Sequence, residues 1–376
     1  MYTLENAFQS LFEVNMGVRS GERILVFSDT IRLDEDLSPS DRTRRMRLLE
    51  VAREAAAFAY QAFGNCRFVS FAATAASGAE PPENLWRGAF GDAAVDALIE
   101  QGILSALLAK QATADQVKRA EEIIVAAKAE VAQVVIALSN NSTSHTRFRS
   151  LMNRAGCRFA SLPHFDPEMF FSSMRVDWRL LSERTKLLAE RINRAVEVRV
   201  ASGNGTRMRF GKKGRTAAGD DGLLTAPGSF GNLPAGEVYL APVEGTSEGV
   251  MVLDYAPMRK LSSPLELIVR DGRVVEIRGD EPFRAVLEEK FAQSPLNRNI
   301  AELGIGTNDR ASRPDNILEA EKILGTIHIA LGDNSSFGGT VSTPFHEDYV
   351  FYGPTVTAVF EDGTTDLLLD QGKLLV

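Results

Sequence analysis

The spacing of apolar residues changes character near residue 195, and this change constrains the fold more than any single motif. Before it, short β-branched runs alternate with long helical patterns. Residues 21–29 (GERILVFSD) read as a buried strand ending in polar turn residues, and residues 66–73 (CRFVSFAA) as a second. Between them, residues 41–63 carry a helical pattern with Met46, Leu49, Ala52 and Ala56 near one face. Residues 93–110 and 114–129 also read as helices, and residues 132–138 as an apolar strand. This alternation predicts an α/β domain with a largely parallel sheet over residues 1–195, with the helical stretch 178–195 leading out of it.

Beyond that point the period falls to two. Residues 196–202 (VEVRVAS), 205–211 (GTRMRFG), 236–243 (GEVYLAPV) and 249–255 (GVMVLDY) alternate as half-buried strands do. Residues 265–279 (LELIVRDGRVVEIRG) form a hairpin through Asp271-Gly272, and Asp362-Gly363 joins the final strands. The second half, residues 196–376, is therefore expected to be a β-rich α+β domain with one or two helices.

Composition excludes several functions. With 376 residues, 42 Lys plus Arg against 50 Asp plus Glu, and a net charge of −8, the chain is not built to bind nucleic acid. The basic cluster Arg42 to Arg47 reads as a solvated helix face. The N-terminus lacks the basic start and apolar run of a signal peptide, and Lys128 and Glu130 interrupt the most apolar region, so no membrane span is expected. Two cysteines, Cys66 and Cys157, are too few for a disulfide framework or thiolate cluster. They are expected to be core thiols of a cytoplasmic protein.

Four histidines occur in the chain, and two fall in distinctive settings. In GTIHIALG (residues 325–332), alternation places Ile327, Ile329 and Leu331 on one strand face and Thr326, His328 and Ala330 on the other. In FHED (345–348), His346 and Asp348 point the same way when extended. Glu237 begins an otherwise apolar strand and shares its face with Tyr239 and Ala241. Glu302 is flanked by Ala301, Leu303 and Ile305. A carboxylate in such company needs a cation or strong donors. Taken together, imidazole and carboxylate donors suit a divalent metal of the zinc, cobalt, manganese or ferrous iron kind.

In these motifs the chain resembles the M29 family of metal-dependent aminopeptidases, the thermophilic aminopeptidase T group. NLPAGEVYLAPVEG (232–245), ELGIGTN (302–308), HIALG (328–332) and HED (346–348) carry the resemblance, in order and rough spacing. It implies two divalent ions (Zn, Co or Mn) held by Glu237, Glu302, His328, His346 and Asp348. It further implies that Glu302 touches the metals and an activated water as ligand or general base, a small peptide substrate, and a homodimer. Two departures stand out. Ser335 occupies the place where those peptidases carry a tyrosine near the metals, and the segment between the histidine motifs is shortened. Tyr349 and Tyr352 are candidates to replace that phenol.

The alternative within the same superfamily resembles ring-cleaving dioxygenases acting on dihydroxypyridines, with a single Fe(II) that His328, His346 and Asp348 could hold. A metal-binding homologue without turnover is the non-enzyme reading. Gly245 to Gly249 fits G-x-S-x-G, but it lies between two strands rather than at the strand-to-helix turn a nucleophile elbow needs. The region is expected to be a hairpin turn. The glycine-rich segment 332–339 reads either as a substrate-binding loop or as a run of tight turns, and residues 161–170, which contain His164, either as a loop covering the site or as an interdomain connection; His145 has no assigned role.

Overall fold

The computed structural model describes residues 2–257 and 259–375. The chain divides into two compact units: one runs to Arg175 and includes Gly222–Pro234, and the other comprises Val176–Asp221 and the chain from Ala235 onward. The division thus falls at Arg175 rather than near residue 195. Helix Trp178–Asn193 counts with the second unit because Leu188 and Ile192 pack into that unit's core. The return to the first unit at 222–234 supplies the three-residue strand Phe230–Asn232, too short for any periodic signal.

The first unit contains five parallel strands in the spatial order Cys66–Ala72, Ile24–Thr30, Val134–Ala137, Arg158–Ser161 and Phe230–Asn232. Ile24–Thr30 is buried at every position but the last, as expected of a parallel strand covered on both faces. Helix Pro39–Phe63 starts where Ser38 caps the Asp41 amide and proline occupies the first turn, and it stops at Gly64 with φ +86°. Its buried stripe runs through Leu48, Val51, Ala52, Ala55 and Ala59. Met46 lies off that stripe and is exposed. The stretch expected as one helix over 93–110 is two, Asp92–Glu100 and Ile103–Leu108, broken at Gly102 in the left-handed region.

The second unit holds two antiparallel sheets. One has eight strands, in the order Arg273–Arg278, Arg259–Arg270, Glu248–Ala256, Arg207–Gly211, Glu197–Ala201, Thr355–Val359, Thr365–Asp370 and Lys373–Leu374. The Asp271-Gly272 turn has both φ angles positive, +47° and +71°, as a two-residue hairpin requires. The other has five strands, in the order His346–Phe351, Ile327–Gly332, Ile300–Gly306, Glu237–Leu240 and Ala218–Asp220. Val200, Phe210, Leu253 and Leu267 from the first sheet share one hydrophobic core with Val238, Leu303, Ile327, Ile329 and Phe351 from the second. The expected two-part fold, a parallel α/β sheet and a β-rich part, is therefore present. Among the described residues, no helix is long and apolar enough to cross a membrane.

Ile329 is fully buried on the face opposite His328. Ile329→Ala is expected to lower stability by about 2–5 kcal/mol, the range for emptying a core site of this size. Urea unfolding checks this, and an unchanged midpoint would show that the strand does not seat Ile329 in the core.

Candidate metal centre

Period-two geometry sorts the five-stranded sheet into two faces. Val238, Leu240, Leu303, Ile305, Ile327, Ile329, Tyr349 and Phe351 enter the core. The remaining positions carry Glu237, Tyr239, Glu302, His328, His346 and Asp348. On at least one side the register gives each a small cross-strand neighbour: Gly306 faces Glu237, Ala330 lies between Glu302 and Asp348, and Gly332 faces His346. His328 faces Gly304, where a β-carbon would stand 2.0 Å from the imidazole ring. Only glycine leaves that ring its place.

Glu302 reaches this face through an irregularity. Ile300 pairs with Leu331 and Glu302 with Ala330, so the strand carries one extra residue between them. Such a bulge turns a side chain out of the simple alternation. Ile300 and Leu303 both enter the core, while Glu302 points to the polar side.

Glu302, His346 and Asp348 form the tightest group, each offering a ligand atom within 4.8 Å of the others. His346 Nε2 lies 3.5 Å from Glu302 and 3.6 Å from Asp348. Its Nδ1 is 2.7 Å from the Asp333 carbonyl oxygen, which can only accept, so Nδ1–H donates there and Nε2 faces the carboxylates. A backbone carbonyl holding the outer nitrogen is the usual way a ligating imidazole is oriented.

His328 stands beside this group, with Nε2 3.4 Å from both Glu302 and Glu237. Burial opposes a charge on either imidazole. The facing carboxylates outweigh it, lifting His328 to a pKa of about 9 and His346 well above its ordinary value. Against the same burial, His346 and His328 hold Asp348 well below the usual carboxylate range. The carboxylates draw positive charge to this face, and a divalent ion would take the place of these protons.

Glu237 Oε2, His328 Nδ1 and Asp348 Oδ1 are buried without a hydrogen-bond partner among the described residues. Buried polar atoms rarely stay unpaired. Unpaired nitrogen and oxygen donors around a three-residue ligating group fit a divalent metal ion.

Lys322 is the residue the sequence did not single out. Its ammonium is buried, 2.7 Å from Glu237 and 2.9 Å from Glu321. Burial disfavours its charge, but the two glutamates prevail and raise its pKa well above normal. Glu321, penalised by burial, is pushed up to about 7. In EAEK (319–322) the lysine looks like part of a solvated helix face. The only signal is its place six residues before His328.

All five expected residues thus lie in one cluster, with Glu302 rather than His328 grouped with His346 and Asp348. Neither candidate replacement phenol is there. Tyr349 is a core residue bonded to Glu347, and Tyr352 packs on Tyr255. Ser335 is exposed and bonds the Asp333 carboxylate. The aromatic groups at the site are Tyr239 and Phe337, their rings 5.9 Å apart, with Phe337 also 5.9 Å from His346. Burial, reinforced by Asp220, Glu237 and Glu302, raises the Tyr239 pKa and keeps the phenol neutral. Ser247 of the G-x-S-x-G match is buried beside a turn in which Thr246 N donates to Val243 O; the strands on either side, Glu237–Leu240 and Glu248–Ala256, belong to different sheets, so the segment is a sheet-to-sheet connection rather than the expected hairpin.

Two solved structures share this fold. The 2,5-dihydroxypyridine dioxygenase from Pseudomonas putida KT2440 superposes with a TM-score of 0.68 at 18% identity, covering 99% of this chain and 97% of that one. Wild-type AmpT from Thermus thermophilus superposes with a TM-score of 0.57 at 16% identity, covering 99% of each. Fold and donor set place the chain among enzymes of this two-part architecture. The family model described as NicX, 2,5-dihydroxypyridine 5,6-dioxygenase, matches residues 99–374, and the chain belongs to that family. No curated protein sequence gives a significant match. The M29-like motifs therefore correspond to a likeness of fold with AmpT, while the family is the NicX one.

Replacing Lys322 with methionine strands Glu237 and Glu321 without their cation. Breaking a buried ion pair in this way is expected to lower stability by about 3–5 kcal/mol, partly recovered by adding Glu237→Gln. Urea unfolding of both variants checks it, and wild-type stability in Lys322→Met would show that the ammonium does not neutralise the pair.

Proposed function

We propose that this protein is a ring-cleaving dioxygenase that uses one ferrous ion and acts on a dihydroxypyridine-type substrate. One observation carries the choice over a two-metal hydrolase: the Lys322 ammonium lies between Glu237 and Glu321. A cocatalytic hydrolase needs two ions to polarise a carbonyl and activate a water. Here one cation position beside Glu237 is filled by a side chain. The family match supports the same reading.

Glu302, His346 and Asp348 would hold the ion. Ferrous iron bound there would supply the redox chemistry that joins dioxygen to a hydroxylated ring. The chain's own residues orient and neutralise. Asp333 fixes the His346 ring through its carbonyl, Lys322 holds one oxygen of Glu237, and His328 can carry a proton between Glu237 and Glu302. Glu302, expected in the hydrolase reading as ligand or general base, would serve here as a ligand.

The reading is tested by loading the protein anaerobically with Fe(II), counting metal, and following oxygen uptake with 2,5-dihydroxypyridine. One iron per chain, with oxygen consumed as ring absorbance disappears, is expected. In parallel, protein loaded with zinc, cobalt or manganese is assayed on aminoacyl amides. Two ions per chain with amide hydrolysis and no oxygen uptake would overturn the proposal.

A further inference from the structure

The geometry points to Phe337 and Tyr239 as the specificity-determining pair of this site: Phe337 forms the wall on which a planar hydroxylated heteroaromatic ring stacks, and the Tyr239 hydroxyl bonds a polar substituent of that ring. The inference rests on the ring-cleavage reading above and names the residues that would select its substrate.

Phe337 is in neither the core of the second unit nor the cluster around Phe27 and Trp86, and it is only half-buried. Its ring contacts are Tyr239 and His346, both edge-on, with interplanar angles of 75° and 89°. A half-buried apolar ring set against the His346 imidazole gains little from that setting as a packing element. It does offer an aromatic face or edge next to the residues that would hold the metal.

The loop presenting Phe337 is built rather than slack. Asp333 accepts from Ser335 N and from Thr343 N, and Asn334 accepts from Val341 N while donating to Glu244. Glu244 also accepts from Thr340 N and pairs with Arg215. At Gly339 a β-carbon would fall 1.9 Å from the Asn334 side chain, so the loop closes tightly on its own asparagine. The residue that anchors this loop, Asp333, also accepts from His346 through its carbonyl. Aromatic wall and imidazole are thereby set by one backbone segment, the kind of preorganisation that substrate positioning requires.

Tyr239 approaches from another strand. It shares the polar face with Glu237 and lies opposite Gly304 in the register. Its ring is half-buried, and its hydroxyl, which makes no hydrogen bond to a described residue, is not among the buried unpartnered atoms and so stays accessible at the site. An accessible phenol beside an aromatic ring offers both a donor and an acceptor to a ligand. A ring hydroxyl or ring nitrogen of the substrate would supply its partner. Tyr239 lies within the M29-like stretch 232–245 but has no role in the ligand set that resemblance implies, and Phe337 lies outside those motifs; those peptidases carry their tyrosine at the position of Ser335, which here turns back to Asp333.

The test uses the full chain loaded with Fe(II). Substrate KM and kcat are measured by oxygen uptake, and 2,5-dihydroxypyridine binding by anaerobic titration, for wild type, Phe337→Ala, Phe337→Leu, Phe337→Tyr and Tyr239→Phe. Phe337→Ala and Phe337→Leu are each expected to weaken binding and raise KM about tenfold, with Phe337→Tyr near wild type. Tyr239→Phe is expected to weaken binding by up to about tenfold, the loss of one hydrogen bond. Iron content should stay at the wild-type level throughout, which separates ring binding from metal loss. Phe337→Leu keeps an apolar side chain of similar bulk and so tests aromaticity even where the alanine variant fails to fold. Unchanged KM and binding in the leucine and Tyr239→Phe variants, with wild-type turnover intact, would overturn this inference and leave the ring-cleavage reading standing. Ring binding that depends on Phe337 and Tyr239 without oxygen uptake would overturn the ring-cleavage reading and keep the pair. No ring binding by the wild-type protein would overturn both.

Discussion

Carboxylates gathered on one largely buried sheet face must be neutralised, and much of the second unit is arranged to meet that demand. Glu237, Glu302, Glu321 and Asp348 lie within a network of contacts between 2.7 and 3.6 Å. An uncompensated buried ion costs several kcal/mol, and a folded domain has only about 5–15 kcal/mol of net stability. Four such groups without cations would unfold it. The positive charge comes from Lys322 and from the two imidazoles, whose pKa values are raised by their carboxylate neighbours. A metal ion would substitute for those protons at the sheet edge where His346 and Asp348 lie. It does not substitute for Lys322, which is tied to both of its glutamates.

The opposite face of the same sheet makes this arrangement affordable. Leu303, Ile305, Ile327, Ile329 and Phe351 join the apolar core, so the strands bearing the charged groups are held by burial from behind. Strand alternation separates the two tasks residue by residue. Gly304, Ala330 and Gly332 then clear the polar face, letting long side chains from four strands lean together. The bulge before Glu302 is the one departure from alternation, and it delivers the carboxylate that the ligating group needs.

How much of this the sequence reveals follows from the range of each signal. Strand period and Asp-Gly turns act locally, so the β-rich second half and its hairpins could be read directly. The five clustered donors were legible because each sits in an unusual local sequence. Lys322 was not, since a lysine after two glutamates in EAEK resembles a solvated surface and its burial depends on contacts across 85 residues to Glu237. Phe337 was hidden for a similar reason: its partners, Tyr239 and His346, come from two different strands. The return of Phe230–Asn232 to the first unit's sheet is set by pairing with Arg158–Ser161, which no three-residue pattern encodes.

An ammonium and a divalent ion both satisfy glutamates, but they do different chemistry. Lysine is a compact point charge with donors and no vacant coordination position, so it can neither polarise a carbonyl as a Lewis acid nor bring a bound water to a neutral pKa. A chain that fixes one cation as a side chain keeps the electrostatic balance that its fold needs and gives up the second ion that hydrolysis would use. On the single-iron reading, what is left is one exchangeable position framed by Glu302, His346 and Asp348, with Phe337 and Tyr239 beside it. On the proposed reading, the shared fold of AmpT and the dihydroxypyridine dioxygenase becomes physically intelligible. One fold can carry different chemistries, and in this chain the cation beside Glu237 is a lysine, which suits the single-ion one.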